Sequence, residues 1–344
     1  MKIWIDARIC SDSWYYGQFV KELIQALYAA NHEHEIMVYT KENLPLNRNS
    51  FLDDFKVKKI FEKQQFALMV FFDHHIPHGY NGEYIIVLEN LKEVFFPKKK
   101  WIQRKIHSYK LSRAIAKAKK VLVLDGGSAM ELNERLNIHE DKIEKIHGFF
   151  PEYKIPEELN LKLDIKAKHN LRSDYLIYDS GNEVHNNFER ILKTLKKLKE
   201  KNSLLYLLVL CDATTKDLDI RKKVIEYGIA DQTLFLWELS FWEEAAYYKQ
   251  SSGVIFSSIY ESFPFQFSKA LAYNCQIFAN DIPANEHVMW DTITYLNPLS
   301  IHNMCEKISS TLTSGKKTSY TNMFQNYCAK NSALDLQKII EAKD

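Results

Sequence analysis

The sequence predicts an α/β protein with two doubly wound domains, each a parallel sheet covered by helices on both faces. Short apolar runs alternate with longer segments of helical period, in one block before residues 150–172 and a second block after them. Runs such as LLYLLVL are apolar at every position, as expected of a strand that is buried on both faces of its sheet. A length of 344 residues also suits two domains better than one. In this fold class, ligands bind at the carboxyl ends of the strands.

Apolar runs in both blocks are predicted to be strands. Those of the first block are Lys2–Asp6, Glu35–Thr40, Ala67–Asp73, Tyr84–Leu88, Val121–Leu124 and Ile143–His147. Those of the second block are Asp174–Asp179, Ser203–Leu210, Thr233–Trp237, Gly253–Phe256, Gln276–Ala279 and Thr294–Leu296. The plainest helices, with apolar residues at helical spacing, are Phe19–Ala30, Trp101–Lys117, Phe188–Lys201, Phe241–Gln250 and Pro264–Tyr273.

The domain boundaries are expected where this alternation is interrupted. A polar stretch follows Pro151 and Pro156, so we expect an N-terminal domain over 1–155 and a C-terminal domain over 156–319. The last segment, 320–344, has a helical pattern and is predicted to be a separate C-terminal helix.

The bulk composition excludes several classes of protein. Hydrophobic residues make up 46% of the chain, which is incompatible with general disorder. The formal net charge of +2 gives no global field for nucleic acid, and none is expected as a partner. Five scattered cysteines show neither a disulfide framework nor zinc-ligand spacing. No signal-peptide run opens the chain and no segment is apolar enough to span a bilayer, so a cytoplasmic location is expected.

The most informative segment is SSIYESFPFQFSKALAYNCQIFANDIPANEHV, residues 257–288. Its pattern is that of loop, helix, loop and strand, with the acid Glu261 at the first junction between loop and helix. It resembles the donor-sugar motif of the retaining glycosyltransferases of family 4, which usually runs PS-x-YEGFGLPVLEAMACGxPVIASDIPAxxEV. The residues that keep their places are Ser258, Tyr260, Glu261, Phe263, Ala270, Ala272, Asp281, Ile282, Pro283, Ala284 and Val288.

The resemblance extends from residue 1 to about residue 300. The opening IDAR, with a glycine and FVKEL after it, is similar to the family's IDAR…GIGRYVxEL, and FDHHIPH is similar to FHSPHFP. SGNEVHNNFERILKTLKKL resembles VGNxxPHKNLxxLLxAF. The resemblance implies the GT-B architecture, in which two Rossmann-like domains face a cleft and the second binds the nucleotide. It also implies retention of anomeric configuration, no required metal or other cofactor, and a last helix that crosses back to the first domain.

The resemblance assigns roles to particular residues. Glu261 is carried over as a catalytic residue, because the family's matching glutamate contacts the transferred sugar. The alternative is an acid that only benefits from the dipole of the helix that follows it. The residues carried over as donor-binding are Gly17, Gly181, His185, Asn186, Ser262, Phe263 and Lys269.

Several donor-site positions depart from the family pattern. Gln18 replaces a basic residue, Asn186 replaces the usual phosphate-binding lysine, and Pro264 has no N–H to offer a phosphate. Lys269 replaces the family's second glutamate, which holds the donor ribose hydroxyls, and a lysine cannot accept those hydrogen bonds. Lys269 is interpreted either as a substitute for the missing phosphate cation or as an ordinary solvated lysine.

Three histidines, His74, His75 and His78, follow the third main strand of the first block. An imidazole at this edge of a sheet could orient the acceptor or the sugar, and His75 is the second catalytic candidate. At each of the three positions, the alternative is a histidine on a surface loop.

Residues 98–120 contain ten basic residues and no acid. Trp101, Ile102, Ile106 and Tyr109 give this segment an apolar face at helical spacing. The combination is typical of a helix that lies on an anionic membrane surface. The alternative is a core helix with a solvated basic side.

The resemblance therefore implies a hexosyltransferase-type glycosyltransferase. It would move a sugar from a nucleotide-sugar donor to a surface-glycan or lipid-linked saccharide acceptor, in the cytoplasm or at the inner face of the membrane. The alternative is a non-catalytic subunit of the same fold that binds a partner transferase or a glycan. No metal is expected, because no Asp-x-Asp ligand pair is predicted at a strand end near the cleft, and Asp217–Asp219 is predicted to fall in a polar loop. A nucleotide-sugar epimerase of this fold would need additional acids and histidines at the cleft.

Overall fold

The described strands all pair in parallel, and they form two separate sheets of seven and six strands. The α/β class with two doubly wound sheets is therefore confirmed. The computed structural model describes residues 2–11, 14–30, 34–39, 51–52, 68–77, 80–96, 101–153, 155, 163–181, 183–201, 204–211, 218–315, 319–320 and 327–342.

The first sheet contains the six strands predicted for the first block and one more. Its members are β1 (Lys2–Asp6), β2 (Glu35–Tyr39), β3 (Phe51–Leu52), β4 (Leu68–Phe71), β5 (Tyr84–Leu88), β6 (Lys120–Val123) and β7 (Ile143–Lys145). They lie in the order β3-β2-β1-β4-β5-β6-β7. β4 and β5 are buried along their whole length, which explains their unbroken apolar runs. The extra strand, β3, has two residues and is too short to show a period in the sequence.

The helices that accompany this sheet are α1 (Trp14–Ala30), α2 (Lys92–Phe95), α3 (Trp101–Lys117) and α4 (Gly126–Leu136). The ends of α4 show how local residues set its bounds. The Asp125 carboxylate accepts a hydrogen bond from the Ser128 amide at 2.9 Å and caps the first turn. Asn137 ends the helix in the left-handed conformation, with φ at 54°.

The second sheet matches the second predicted block. Its strands are β8 (Tyr175–Tyr178), β9 (Tyr206–Cys211), β10 (Thr233–Trp237), β11 (Gly253–Phe256), β12 (Ile277–Asn280) and β13 (Thr294–Leu296). They lie in the order β10-β9-β8-β11-β12-β13. Because β8 pairs with both β9 and β11, the first three strands of this sheet in chain order form one half of it and the last three form the other.

The helices of the second sheet are α5 (Ile165–His169), α6 (Phe188–Glu200), α7 (Leu218–Glu226), α8 (Phe241–Gln250), α9 (Phe267–Ala272), α10 (Pro283–Met289) and α11 (Ile301–Ser314). α6 and α11 pack together and bury Leu192, Leu195, Met304 and Ile308 in one core. α8 begins with a capping box, in which Ser240 and Glu243 satisfy each other's backbone N–H groups.

The chain divides into two compact units, one of Met1–Pro151 with Asn322–Asp344 and one of Glu152–Thr321. The last helix, α12 (Ala329–Glu341), belongs to the first unit and packs against α1. The backbone N–H of His147 donates to Asp335 at 3.0 Å, so polar contacts also hold this helix in the unit. Among the described helices, none combines the length and the apolar character needed to cross a bilayer.

α1 begins five residues before the predicted start at Phe19, and Gly17 therefore lies inside this helix rather than in a preceding loop. The reason is a close contact with the turn formed by Arg8–Ser11. A Cβ atom on Gly17 would lie 2.9 Å from the backbone oxygen of Cys10. Because glycine has no Cβ atom, the helix can extend past this turn. The sequence pattern does not show this close contact.

Gly17→Ala is expected to lower the free energy of unfolding of the first unit by about 1–3 kcal/mol, the usual cost of forcing a methyl group into a packed contact. Urea denaturation measures the decrease in the free energy of unfolding. Faster hydrogen exchange of the α1 amides would show that the decrease belongs to this unit.

Gly126→Ala is the matched control, because a Cβ atom on Gly126 has nothing within 4 Å. Both substitutions remove a helical glycine, so the difference between the two variants isolates the clash. Equal stability of the two variants would contradict the close-contact explanation.

Candidate functional site

The strand order of the second sheet creates a switch point between β8 and β11, where the chain connections run in opposite directions. In open α/β sheets, ligands bind outside the carboxyl ends of the strands at such a point. Gly181, His185 and Asn186 follow β8, and Glu261 and Ser262 follow β11. The topology therefore brings the predicted donor-binding segments to the same place on the sheet.

Direct hydrogen bonds join the two loops that leave β8 and β11. The Ile259 amide donates to the backbone oxygen of His185 at 2.8 Å. The Ser257 hydroxyl donates to the backbone oxygen of Asn186 at 2.5 Å. The side-chain amide of Asn186 in turn lies 3.4 Å from the Ser258 hydroxyl. We call this set of contacts the loop junction.

Asn280, the last residue of β12, supports the loop junction from the neighbouring strand. Its side chain is fully buried, and its amide nitrogen donates to the backbone oxygens of Ser257 and, at 3.2 Å, Ser258. Asn285 donates to the backbone oxygen of Asn280 at 2.8 Å. These amides donate to buried backbone carbonyl groups, and so they fix the path of the loop after β11.

His185 and Asn186 are both buried in a single 3-10 turn, Val184–Asn186. His185 lies with Nδ1 3.3 Å from the Glu183 carboxylate. The Asn186 Oδ1 atom accepts from the Glu183 amide at 2.9 Å, while its Nδ2 takes part in the loop junction. The Asn186 side chain thus contacts the protein through both ends of its amide. Its donor-binding role stays a prediction.

Glu261 lies in the loop, six residues before the first residue of α9, so the expectation that it sits where a helix begins is wrong. Pro264, the predicted first residue of this helix, instead begins a tighter turn. The Phe267 amide donates to the Pro264 oxygen at 3.0 Å, and the Ser268 amide donates to the Phe265 oxygen at 3.1 Å. Such contacts between residues three apart form a 3-10 turn rather than the start of an α-helix.

Ser262 and Phe263, the other two predicted residues of this loop, are buried. The ring of Phe263 packs on that of Phe265, with centroids 4.9 Å apart. Gly181, on the opposite loop, accepts a hydrogen bond from the Tyr178 hydroxyl at 3.2 Å. Phe263 is thus fixed by packing and Gly181 by a hydrogen bond, whatever ligand the site takes.

Lys269, in α9, is only 13% exposed and is surrounded by acids, so its interpretation as an ordinary solvated lysine is wrong. Its ammonium group lies 2.6 Å from the Glu244 carboxylate and 3.7 Å from that of Asp179. Burial opposes the charge, but the two carboxylates outweigh it and raise the pKa of Lys269 above its usual value. The expected role as a phosphate cation stays a prediction, and two acids compete with any phosphate for this ammonium.

The first sheet has its own switch point, between β1 and β4, and the predicted histidines follow β4. The imidazoles of His74 and His75 both contact the carboxylate of Asp73. The ring of His75 is 60% exposed, so it can reach a ligand, and Arg8 donates to its backbone oxygen at 3.3 Å. His78, the third histidine of the prediction, lies outside the described residues.

Asp73 holds these imidazoles as an ionised carboxylate. Burial raises the pKa of Asp73, but hydrogen bonds from His74 and His75 outweigh burial and lower this pKa far below its usual value. One ligand atom from each of the three residues lies within 4.8 Å of the others, so the group could also hold a metal ion. The same contacts orient the His75 ring, which is what a general acid or base requires.

Four acids near these sites were not among the sequence candidates: Asp73, Glu89, Asp179 and Glu244. Asp73, Glu89 and Asp179 lie just after the ends of strands. An acid at such a position is the sequence signal from which they could have been predicted. Burial raises the pKa of Glu89 above its usual value. The charge of Lys92 opposes this shift, and the charge of Asp73 adds to it. Glu244 stands in the first turn of α8, where an acid is ordinary, so no local signal distinguishes it.

A cavity of about 610 Å³ opens between α6 and α7, next to the 3-10 turn. Lysines line it, and two of them, Lys193 and Lys223, are already paired with Glu189. Glu189 lies 2.8 Å from Lys193 and 2.5 Å from Lys223. Glu189 therefore competes with any diphosphate for these two cations.

Comparisons with known proteins agree with this architecture. Residues 162–327, which include the loop junction and all of α9, match the family model described as "Glycosyl transferases group 1". The chain has the GT-B fold. The sucrose-phosphate synthase of Thermosynechococcus elongatus superposes with a TM-score of 0.71 at 14% identity, over 99% of this chain and 98% of that one. HepE of Anabaena, in complex with UDP-glucose, gives a TM-score of 0.66 at 11% identity, over 99% of this chain and 98% of that one.

A similar protein by sequence is the O-antigen chain mannosyltransferase RfbU of Salmonella typhimurium. It is 22% identical over 213 residues, which cover 62% of this chain. The matched part spans 56% of the length of RfbU.

Asn280→Asp is expected to lower the free energy of unfolding of the second unit by about 2 kcal/mol or more. A carboxylate cannot donate to the two carbonyl oxygens of the loop junction, and it would be buried without a cation. Urea denaturation measures the loss.

Asn274→Asp is the matched control, since the Asn274 side chain is exposed and accepts a hydrogen bond from the Tyr320 amide, which an aspartate can also accept. Should the two variants lose the same stability, Asn280 would not support the loop junction through its amide donor.

Proposed function

We propose that this protein is a glycosyltransferase that moves a sugar from a nucleotide-sugar donor to a saccharide acceptor with retention of configuration. The observation that carries the proposal is the loop junction. It brings the segments expected to bind the donor together at the switch point of β8 and β11, inside the region that matches the group 1 family. A fold likeness alone would not distinguish this function from others, because one fold hosts many activities.

The site must stabilise the negative charge that grows on a leaving nucleoside diphosphate. α6 starts directly after the 3-10 turn, so the positive end of this helix lies at the same edge as the loop junction. Backbone N–H groups at a helix N-terminus bind phosphate without a metal, and the proposal requires none. In this mechanism Glu261 contacts the transferred sugar, and His75, oriented by Asp73, acts on the acceptor or the sugar.

The relatives support the proposed substrate class. HepE was solved with UDP-glucose, which supports a nucleotide-sugar donor here. RfbU is a mannosyltransferase of the O-antigen chain, which supports a surface-glycan or lipid-linked acceptor and hexosyl transfer. With an acceptor of this kind, we propose that the reaction takes place in the cytoplasm, at the inner face of the membrane.

The surface of α3 supports this placement. The helix buries Leu111, Ala114 and Ile115, while Ile106 and Tyr109 are 51% and 65% exposed. The exposed side also carries Lys105, Lys110, Arg113 and Lys117. Exposed apolar side chains among cations match the chemistry of an anionic bilayer surface, and we propose this surface as the partner of α3.

A thermal-shift panel of GDP-, UDP- and dTDP-sugars tests the proposed donor. At a hundredfold excess over Kd, a true donor is expected to raise the melting temperature by roughly 5 °C or more. Glu261→Ala should reduce the shift with the nucleotide-sugar to that with the nucleoside diphosphate alone, because it removes the contact with the sugar.

Glu306→Ala, an exposed acid on α11 of the same unit, should leave the shift unchanged. If no nucleotide-sugar stabilises the wild-type protein, the transferase proposal fails and the non-catalytic subunit becomes the better description.

Sedimentation with vesicles tests the proposed membrane surface. The protein should bind vesicles of phosphatidylcholine with phosphatidylglycerol, and the double variant Lys110→Gln with Arg113→Gln should partition roughly thirtyfold less, at about 1 kcal/mol for each lost charge. The double variant Lys330→Gln with Lys338→Gln removes two exposed charges from α12 and should bind like the wild type. Equal losses in both double variants would exclude α3 as the specific surface.

A further inference from the structure

Three consecutive residues after β4 bring metal-ligand atoms together. The Asp73 carboxylate contacts Nδ1 of His74 at 2.5 Å through one oxygen and Nδ1 of His75 through the other. The two imidazole rings lie beside each other, with centroids 4.1 Å apart. The Ile76 amide donates to the His74 oxygen at 2.9 Å, so the chain turns tightly at this point. We call Asp73, His74 and His75 the histidine cluster.

The histidine cluster offers two imidazole nitrogens and one carboxylate oxygen. Its ligand atoms all lie within 4.8 Å of one another, and no other group of three His, Cys, Asp or Glu residues in the described part of the chain comes this close. Imidazole suits zinc and its neighbouring transition metals, whereas magnesium and calcium prefer oxygen ligands. Two histidines and one carboxylate can hold zinc with a fourth position open to water. The chemistry of the cluster therefore favours a divalent transition-metal ion.

Small movements separate the observed contacts from those of a metal site. An ionised carboxylate can only accept, so the Nδ1 atoms of both histidines carry the protons of these contacts. One ion in their place, at bonds of about 2.0–2.2 Å, requires the imidazoles to move away from the carboxylate by roughly 1 Å. The ring of His75 is 60% exposed and can move this far without displacing the core. The His74 amide also donates to Asp73 at 2.5 Å, which holds two of the three ligands together.

The charges around the histidine cluster favour a cation. Burial raises the pKa of Glu89, Lys92 opposes the shift and the charge of Asp73 adds to it, so the two carboxylates repel each other. A cation bound to Asp73 would relieve this repulsion. The guanidinium of Arg8, which also lies near the cluster, is paired with Asp6 at 2.5 Å. With the carboxylates ionised, these groups carry one more negative charge than positive charges.

We propose that the histidine cluster binds one divalent transition-metal ion through Asp73, His74 and His75, and that the ion moves the proton on the His75 ring. Without the ion, Nδ1 of His75 donates to Asp73, and Nε2 is the nitrogen that can accept a proton. An ion on Nδ1 displaces the proton there, and the ring then carries a proton at Nε2 after exchange with water. The bound ion thereby removes the proton acceptor that His75 would supply to the transferase reaction proposed above.

Calorimetric titration with zinc chloride, after removal of metals with EDTA, tests the site. The wild-type protein is expected to bind one zinc ion per chain at the histidine cluster. His75→Ala and Asp73→Asn should each weaken this binding by at least the roughly tenfold that loss of an outer-shell partner costs, because each removes a direct ligand. Magnesium chloride should not displace the zinc, since magnesium disfavours imidazole.

His139→Ala is the matched control. The His139 ring is exposed and lies 3.1 Å from the Asp141 carboxylate, but this pair belongs to no group of three ligands among the described residues. The variant should bind zinc like the wild type. Equal zinc affinity of the wild type and His75→Ala, or no zinc binding by the wild type, would overturn the site. His75→Ala keeps the test open if Asp73→Asn does not fold, because this ring is largely exposed.

Nitrogen NMR of the histidine-labelled protein tests the movement of the proton, with His75→Ala to assign the signals. Zinc is expected to remove the proton from Nδ1 of His75 and to leave one on Nε2. An Nε2 atom without a proton in the zinc-bound protein would overturn this part of the proposal. Neither measurement needs a sugar donor, so the ion site is tested separately from the transferase function.

Discussion

The site of the second unit depends on how the backbone is satisfied where β8 and β11 end. Strands of a buried parallel sheet stop at the same edge, and the loops that leave them carry carbonyl groups without ladder partners. Here the Ser257 hydroxyl and the Asn280 amide supply the missing donors, and the Ile259 amide joins one loop to the other. An orphaned carbonyl at this depth costs about 1–3 kcal/mol, so the polar residues of the loops fix one path for both. The positions of Glu261 and Asn186 follow from that path.

The charges beside this junction have a different organisation from the one that the family pattern implies. A lysine stands where the pattern has an acid, yet the neighbourhood stays acidic, because Asp179 and Glu244 converge on Lys269 from β8 and α8. A buried cation with two acids costs less than one left alone, since the pair interaction offsets the loss of solvation. The carboxylates near Lys269 thus come from Asp179 and Glu244 instead of from α9. Hydrogen-bond acceptors therefore remain beside position 269 although a lysine occupies it.

The sequence predicted the elements whose signal is local. The strand Thr233–Trp237 and the helix Trp101–Lys117 have the predicted bounds. An apolar run and a helical period are both patterns of residues that are close in sequence. The start of α1 was missed, since the contact between Gly17 and Cys10 that permits it joins two elements in space. The candidate site was predicted as a set of segments at the carboxyl ends of the strands, and the switch point where they meet became visible only with the strand order. The pairing of Glu244 with Lys269 could not be predicted, because an acid in a first helical turn has the same pattern whether it faces solvent or a buried lysine.

The central claim is that the loop junction at β8 and β11 forms the donor site, and hydrogen exchange with and without a bound nucleotide-sugar tests it most directly. The account predicts that amides of residues 183–187 and 257–262 exchange more slowly when the donor is bound, because the ligand covers the ends of these strands. The opposite edge of the same sheet offers an internal comparison, since a cavity of about 410 Å³ lies there beside Ser252 and Gln276. Protection confined to that edge, with no change at 183–187 and 257–262, would contradict the account.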